Sequence, residues 1–182
     1  MQDTFYIPSD DSFILADAVI KKIKNKNIKI LDLGTGSGIQ SKTLLENGIK
    51  KNNITASDIN QEALNEVKKL GIKTRKSNLF EKIYEKYDLI IFNPPYLPEH
   101  KFDKELDITG GKIGDETIIN FIQDLKEHLT PKGFSLLITS SHTPNNKWIK
   151  IAKQKNLKVN KISSKKLFFE ELFVWEIMQQ SL

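Results

Sequence analysis

At 182 residues, 38% hydrophobic and 28% charged, the chain is long enough to close one buried core and too apolar for disorder. Zero cysteines remove disulfide frameworks, thiolate zinc sites and cysteine nucleophiles together, and fit a reducing compartment for which the cytoplasm is the default. The net charge of +5 rests on 27 Lys and the single Arg75, interrupted by acids, a compositional bias rather than a nucleic-acid footprint. No apolar run approaches the roughly 20 residues of a membrane helix, and Met1 to Asp11 lacks the basic start and apolar centre of a signal peptide. Neither a membrane span nor export is expected.

Ser9, Asp10 and Asp11 precede apolar residues at helical spacing (Phe13, Ile14, Leu15, Ala18, Val19, Ile20), which predicts a first helix to about Lys24. Ile28 to Leu33 reads as a strand running into a glycine-rich stretch, and Ile39 to Asn47 as a helix stopped by Gly48. The unit repeats with strand Ile54 to Ser57, a helix capped by Asn60 that runs to Leu70 and stops at Gly71, and strand Ile72 to Ser77. Asp88 to Phe92 is a continuous apolar strand, as one covered on both faces would be. A helix from about Asp115 to Leu129, a turn at Pro131 and Gly133, strand Phe134 to Thr139 and helix Asn146 to Lys155 follow. Leu157 to Ser163 and Glu171 to Met178 leave no room for a helix between them and should pair antiparallel. The sum is one α/β domain over residues 1–182: an open, mostly parallel seven-stranded sheet ending in an antiparallel hairpin, with helices on both faces. Leu97 to Lys112 is longer than most connections within a domain and is a candidate substrate lid.

Three segments carry chemistry. Asp32, Leu33, Gly34, Thr35, Gly36, Ser37 and Gly38 join the first strand to a helix; alternating glycines let backbone N–H groups approach a ligand, and the helix start favours negative charge. This is not the dinucleotide spacing, which has two residues between its last glycines, and the acid at Asp32 could meet a cationic amine. Asp58 ends the second strand, 24 residues after Gly34, where a carboxylate can accept both hydroxyls of a ribose; by itself it could equally be a cap beside Asn60. Asn93, Pro94, Pro95 and Tyr96 follow the fourth strand. Two prolines end a sheet, but that role leaves the Asn and Tyr unexplained. The Asn93 and Pro94 carbonyls can accept the two N–H bonds of a planar amino group while an aromatic ring stacks on it. Such a clamp would turn the nitrogen lone pair toward an electrophile and stabilise developing positive charge without a strong base.

On these residues the chain resembles class I S-adenosylmethionine-dependent methyltransferases, a Rossmann-like fold, with DLGTGSG as cofactor loop and NPPY as the signature of amide or exocyclic amino methylation. More narrowly it resembles the HemK-type release-factor glutamine methyltransferases of archaea and eukaryotes. Pro8 to Phe13, Phe92 to Pro98 and Gly110 to Gly114 match that family's opening segment, its FNPPYLP stretch and its second glycine cluster. The resemblance implies S-adenosylmethionine as cofactor and S-adenosylhomocysteine as product. It puts Asp32, Gly34, Thr35, Gly36 and Gly38 on the methionine part, Ser12 on its carboxylate, Asp58 on the ribose, Asn78 with Leu79 on the adenine edge, and Ile59 among the cofactor-binding residues. Asn93, Pro94, Pro95 and Tyr96 would hold the target, with Asn93 also reaching the cofactor. Two positions depart: relatives usually have Asp where Asn78 stands and often Thr where Ser12 stands. The asparagine keeps an acceptor oxygen for the adenine amine.

The activity so implied is methylation of the glutamine side-chain amide (N5) in the Gly-Gly-Gln motif of a class I release factor. The alternatives are an exocyclic amino group of adenine or guanine in RNA or DNA, protein lysine, and a non-catalytic binding module. Base chemistry in a duplex needs extrusion and usually an added recognition region, for which the candidate lid is scant. The family also implies a small zinc-binding activator subunit pairing with an edge strand, here Ile72 to Ser77; charge on an edge equally discourages pairing. His100, His128 and His142 share no metal-like spacing, so no metal is expected, and Trp148 and Trp175 read as core. The alternation Phe169, Glu171, Phe173, Trp175, Ile177 predicts an inward strand face.

Overall fold

The computed structural model describes residues 8–95 and 115–180. Tyr96, the candidate lid with His100, and the glycine cluster to Gly114 lie outside the described residues.

Helix α1 (Asp10–Lys22) starts after an extended Ser9, with Asp10 and Asp11 in its first turn and Lys21 and Lys22 in its last, the charges that complement a helix dipole. Then come β1 (Ile30–Leu33), α2 (Ile39–Glu46), a 3₁₀ turn at Lys51–Asn53, β2 (Ile54–Asp58), α3 (Gln61–Lys68), β3 (Lys73–Lys76) and β4 (Tyr87–Phe92). The Asn60 side chain accepts the Glu62 N–H, the cap its position predicts. The chain continues with α4 (Glu116–His128), β5 (Leu129–Ser140), α5 (Asn145–Gln154), β6 (Leu157–Lys166) and β7 (Glu171–Gln179).

The sheet has seven strands in the order β3-β2-β1-β4-β5-β7-β6. The first five run parallel and β7 inserts antiparallel between β5 and β6. This is the expected architecture, with β3 at the expected edge. Each central strand sorts its residues by alternation. Leu31, Leu33, Ile90, Phe92 and Leu137 join the core under α4 and α5, with Phe121 and Trp148. Ile30, Leu89, Ile91, Leu136 and Ile138 join the core under α1, α2 and α3, with Leu15, Leu44 and Val67. A strand buried on both faces has no polar side to show, which is why these segments read as unbroken apolar runs.

Two expectations need correction. Strand β5 begins at Leu129 rather than Phe134; the predicted turn is a bulge inside it. Tyr87 pairs with Leu129 and Leu89 with Phe134, so four residues, Thr130 to Gly133, face Asp88. Thr130 Oγ1 donates to Asp88 Oδ1 at 2.7 Å, and a Cβ on Gly133 would lie 2.7 Å from the Tyr87 carbonyl, so the bulge closes only over glycine. On β7 the predicted inward face holds only in part: Ile177 is fully buried and Trp175 packs against the same core, but Phe173 and Trp175 are half-buried, Phe169 is 84% exposed, and the opposite phase, Leu172, Val174 and Glu176, is buried as well. Helix α1 lies over β5, β6 and β7 and covers that opposite face. It carries Lys22 to the buried Glu176 as an ion pair. Trp148 is fully buried, its Nε1–H donated to Asn145 Oδ1 at 3.0 Å, with Trp175 edge-on 5.4 Å away.

Candidate functional site

Parallel strands deliver their carboxyl ends to one rim, and the order reverses between β1, which leads to β2 and β3, and β4, which leads to β5. A crevice opens at such a reversal because the connections leave in opposite directions. Asp32 and Leu33 pair with Ile91 and Phe92, so the chain leaves β1 at Gly34 and β4 at Asn93 side by side. Asp58 ends β2 and Asn78 follows β3 on the same rim; the Ser77 N–H donates to the Asp58 carbonyl at 3.0 Å. The topology therefore brings the three predicted segments to one place.

The glycine loop turns by left-handed backbone: Gly34 has φ +64°, Gly36 +50° and Gly38 +75°. A Cβ on Gly38 would lie 2.6 Å from Val67 Cγ2, so glycine is required there both for conformation and for the approach of α3. Two carboxylates hold the loop. Buried Asp32 accepts at Oδ2 from Thr35 Oγ1 (2.7 Å), the Ser41 N–H (3.1 Å) and Ser41 Oγ (2.6 Å). Burial still pushes its carboxyl above the usual range; the three hydrogen bonds pull the other way and nearby Asp58 adds to the rise. Asp58 accepts from the Gly36 N–H at 2.9 Å and the Asn60 N–H at 2.8 Å, each oxygen keeping a second lone pair. The Thr35 N–H donates to the Ser57 carbonyl at 2.9 Å. Ile59 stands next to Asp58, 66% exposed, an apolar surface at the rim.

Asn78 is exposed and donates Nδ2–H to Glu81 Oε1 at 2.9 Å. Leu79 takes φ +45°, a strained backbone for a branched side chain, with its carbonyl held by Ser77 Oγ at 2.8 Å. Pro94 is buried and Pro95 half-buried beyond Asn93. The Asn93 amide donates Nδ2–H to Asp11 Oδ2 at 3.2 Å and lies 3.4 Å from Ser12 Oγ. Its carbonyl Oδ1 is buried and has no hydrogen-bond partner among the described residues. A buried acceptor left unpaired costs free energy, about 1–3 kcal/mol, and marks a place where a donor is expected.

Ser12, predicted from the opening segment, is buried beside Asn93, and Gln40 in the first turn of α2 donates Nε2–H to its carbonyl at 2.9 Å. Asp11, Gln40 and Ser41 were not singled out in the sequence. Asp11 read as helix-capping charge, and its contact with a residue 82 positions away exists only once α1 lies across the sheet. Among the described residues no three His, Cys, Asp or Glu gather as metal ligands.

The profile of the methyltransferase small domain matches residues 12–168. The chain belongs to this family. Proteins similar to it include one from Methanocaldococcus jannaschii, provisionally named a protein N5-glutamine methyltransferase. It is 35% identical over 180 residues, 93% of this chain and 89% of that protein. A release factor glutamine methyltransferase of Streptococcus pneumoniae is 37% identical over 97 residues, 50% of this chain but 34% of that longer protein. Among solved structures, a chain of the E. cuniculi Mtq2–Trm112 complex, responsible for methylation of the eRF1 translation termination factor, aligns with a TM-score of 0.80. It is 23% identical and covers 97% of this chain and 99% of that one, a likeness of fold. The class I methyltransferase reading of the sequence thus holds for family and architecture alike.

Proposed function

We propose that this methyltransferase small domain protein transfers a methyl group from S-adenosylmethionine to the side-chain amide nitrogen of the glutamine in the Gly-Gly-Gln motif of a class I release factor. The observation that carries the reading is the buried, unpartnered Asn93 Oδ1 at the end of β4, with its Nδ2 already bonded to Asp11. That oxygen can only accept, and the Pro94 carbonyl beyond it is a second acceptor. Two acceptors suit the two N–H bonds of a carboxamide, whose nitrogen is too poor a nucleophile to react unaided. Held so, the nitrogen presents its π face across the plane of the clamp, and positive charge developing on it is stabilised by both oxygens. The Tyr96 ring is the proposed stacking surface.

The residues at the rim fit S-adenosylmethionine. Ser37 Oγ and Gln40 Oε1, at the start of α2, are buried without hydrogen-bond partners among the described residues, as expected beside a polar ligand. The left-handed Gly34, Gly36 and Gly38 expose backbone to the methionine part, Ser12 and Thr35 lie beside it, and Asp32 shapes the loop. Asp58 has lone pairs for the ribose hydroxyls, Ile59 an apolar face for the adenine, and Asn78 with Leu79 its polar edge. When bound, the cofactor supplies an electrophilic methyl group on a sulfonium. The proton lost by the acceptor nitrogen passes to water.

The names of the relatives support the same acceptor. The reading extends to a small zinc-binding activator added along β3 and to a cytoplasmic location, where translation factors act. Lys73 and Arg75 of β3 are both engaged by Glu85, at 2.8 and 3.1 Å, so charge on this edge is partly neutralised. Gel filtration of a coexpressed pair should give one heterodimer peak; separate monomers would remove the activator from the proposal.

The decisive experiment is peptide mass spectrometry of a release factor of the same origin after incubation with the enzyme and S-adenosylmethionine, with and without the activator. One methyl group on the Gly-Gly-Gln glutamine, absent with Asn93→Ala, is the expected result. An unmodified factor under both conditions, or the methyl group recovered in RNA or on a lysine, would refute it.

A further inference from the structure

Asparagine has nearly the same shape on its two sides, so packing alone hardly distinguishes an amide from its flipped form; the chemistry of the neighbours decides. Two groups face Nδ2 of Asn93. Ser12 Oγ, at 3.4 Å, is indifferent, because a hydroxyl both donates and accepts. Asp11 is not indifferent, because a carboxylate only accepts. It is 3% exposed in the first turn of α1, and its two oxygens accept from different groups among the described residues. Oδ1 accepts from Ser9 Oγ at 2.9 Å and from the Ser12 N–H, which anchors the carboxylate to its own helix start. Oδ2 takes the Asn93 Nδ2–H at 3.2 Å.

We infer that Asp11 is a positioning residue for the methyl-transfer reaction: it locks the Asn93 amide so that Oδ1, and not the NH2 group, is presented to the acceptor nitrogen. In the flipped amide, Oδ1 would oppose the Asp11 carboxylate and the NH2 group would meet the NH2 of the substrate, a mismatch on both sides. Anchoring through Ser9 and Ser12 fixes the carboxylate, so the preference is built in before substrate arrives. The same device serves any planar amino acceptor. The statement about catalysis rests on the proposed function, whereas the locked amide is a property of the protein alone.

Two measurements test it, and they fail separately. In 15N–1H spectra of the free protein, the Asn93 side-chain pair, identified by its loss in Asn93→Ala, should be shifted from free-amide positions and slow to exchange. In Asp11→Ala it should move to free-amide positions and exchange quickly; an unchanged pair would overturn the inference. In steady-state assays the near-isosteric Asp11→Asn should lower kcat about 100-fold, the scale of losing one preorganised hydrogen bond in an active site. KM for the release factor and cofactor affinity should stay within about twofold, since remote contacts bind the factor. Asn93→Asp should be equally poor, with two carboxylates facing each other. Combining Asp11→Asn with Asn93→Asp restores a donor facing an acceptor and leaves an oxygen in the site, so kcat should recover at least about tenfold over either single variant. Additive losses in the double variant, or an Asp11→Asn protein that no longer binds cofactor, would overturn the inference. A wild-type enzyme that leaves the release factor unmethylated would refute the proposed substrate, and the spectra would then decide the role of Asp11.

Discussion

The most structure-dependent residue of the glycine loop is Gly38, and replacing it by alanine tests how the loop is held. Its φ of +75° lies in the left-handed region, which costs a residue bearing Cβ roughly 1 kcal/mol. The new Cβ would lie 2.6 Å from Cγ2 of the fully buried Val67. That is about 1 Å inside the favourable carbon–carbon distance. A branched side chain in the core cannot swing aside, so loop or α3 must shift, an overpacking cost of about 1–3 kcal/mol. The expected total is about 2–4 kcal/mol. At about 2–4 °C per kcal/mol for a chain this size, the melting temperature should fall by roughly 5–15 °C. Urea unfolding followed by Trp148 and Trp175 fluorescence gives the free energy directly. The control is Val67→Ala, which removes the opposing methyl groups: on that background Gly38→Ala should cost only the backbone part, about 1 kcal/mol. Equal losses on the two backgrounds, or a single-variant loss below about 1 kcal/mol, would refute the packing argument.

Asp58→Ala leaves the Gly36 and Asn60 N–H groups without their acceptor and removes the proposed ribose contact. Calorimetry should show cofactor affinity weakened about 10- to 100-fold, and an affinity within twofold of wild type would exclude the contact. Burial holds the Asp32 carboxyl above its ordinary 3.8, so the folded state binds that proton more tightly than the unfolded chain. Its contribution to stability therefore falls as pH rises from the ordinary value through the raised one, and is level above it. The urea midpoint of wild type relative to Asp32→Asn should fall as pH rises from about 4 and then level off; a difference independent of pH would contradict the raised carboxyl. Lys22→Met strands the Glu176 carboxylate against the core and should cost about 1–3 kcal/mol, reduced because Lys22 is partly exposed. Adding Glu176→Leu should restore most of that loss in thermal melts, and a double variant less stable than Lys22→Met would show that the pair itself stabilises the fold.

Much of the architecture was legible in local signals. Leu89 to Phe92 is apolar throughout because both sheet faces are covered, and Gly34, Gly36 and Gly38 alternate because the turn from β1 to α2 needs positive φ at each. The Asn60 cap and the short β6–β7 connection were equally local. Where a local signal was ambiguous the reading failed. Pro131 and Gly133 signal a turn, and only pairing with β4 turns it into a bulge inside β5. The alternation along β7 reveals two faces but not which one α1 will cover.

The site divides along the same line. Residue type and spacing alone determined that a glycine loop, a carboxylate 24 residues on and an Asn-Pro-Pro-Tyr segment would each end a strand, because turns, caps and sheet breakers act over a few residues. Tertiary structure decided what those groups do to one another. It spends Asp32 Oδ2 on Thr35 and Ser41, and it turns Asp11 from a capping charge into the partner of Asn93. It leaves Asn93 Oδ1 as a buried acceptor awaiting a donor. Hydrogen bonds depend on distance and direction in space, and a contact between residues 82 positions apart has no local pattern to announce it.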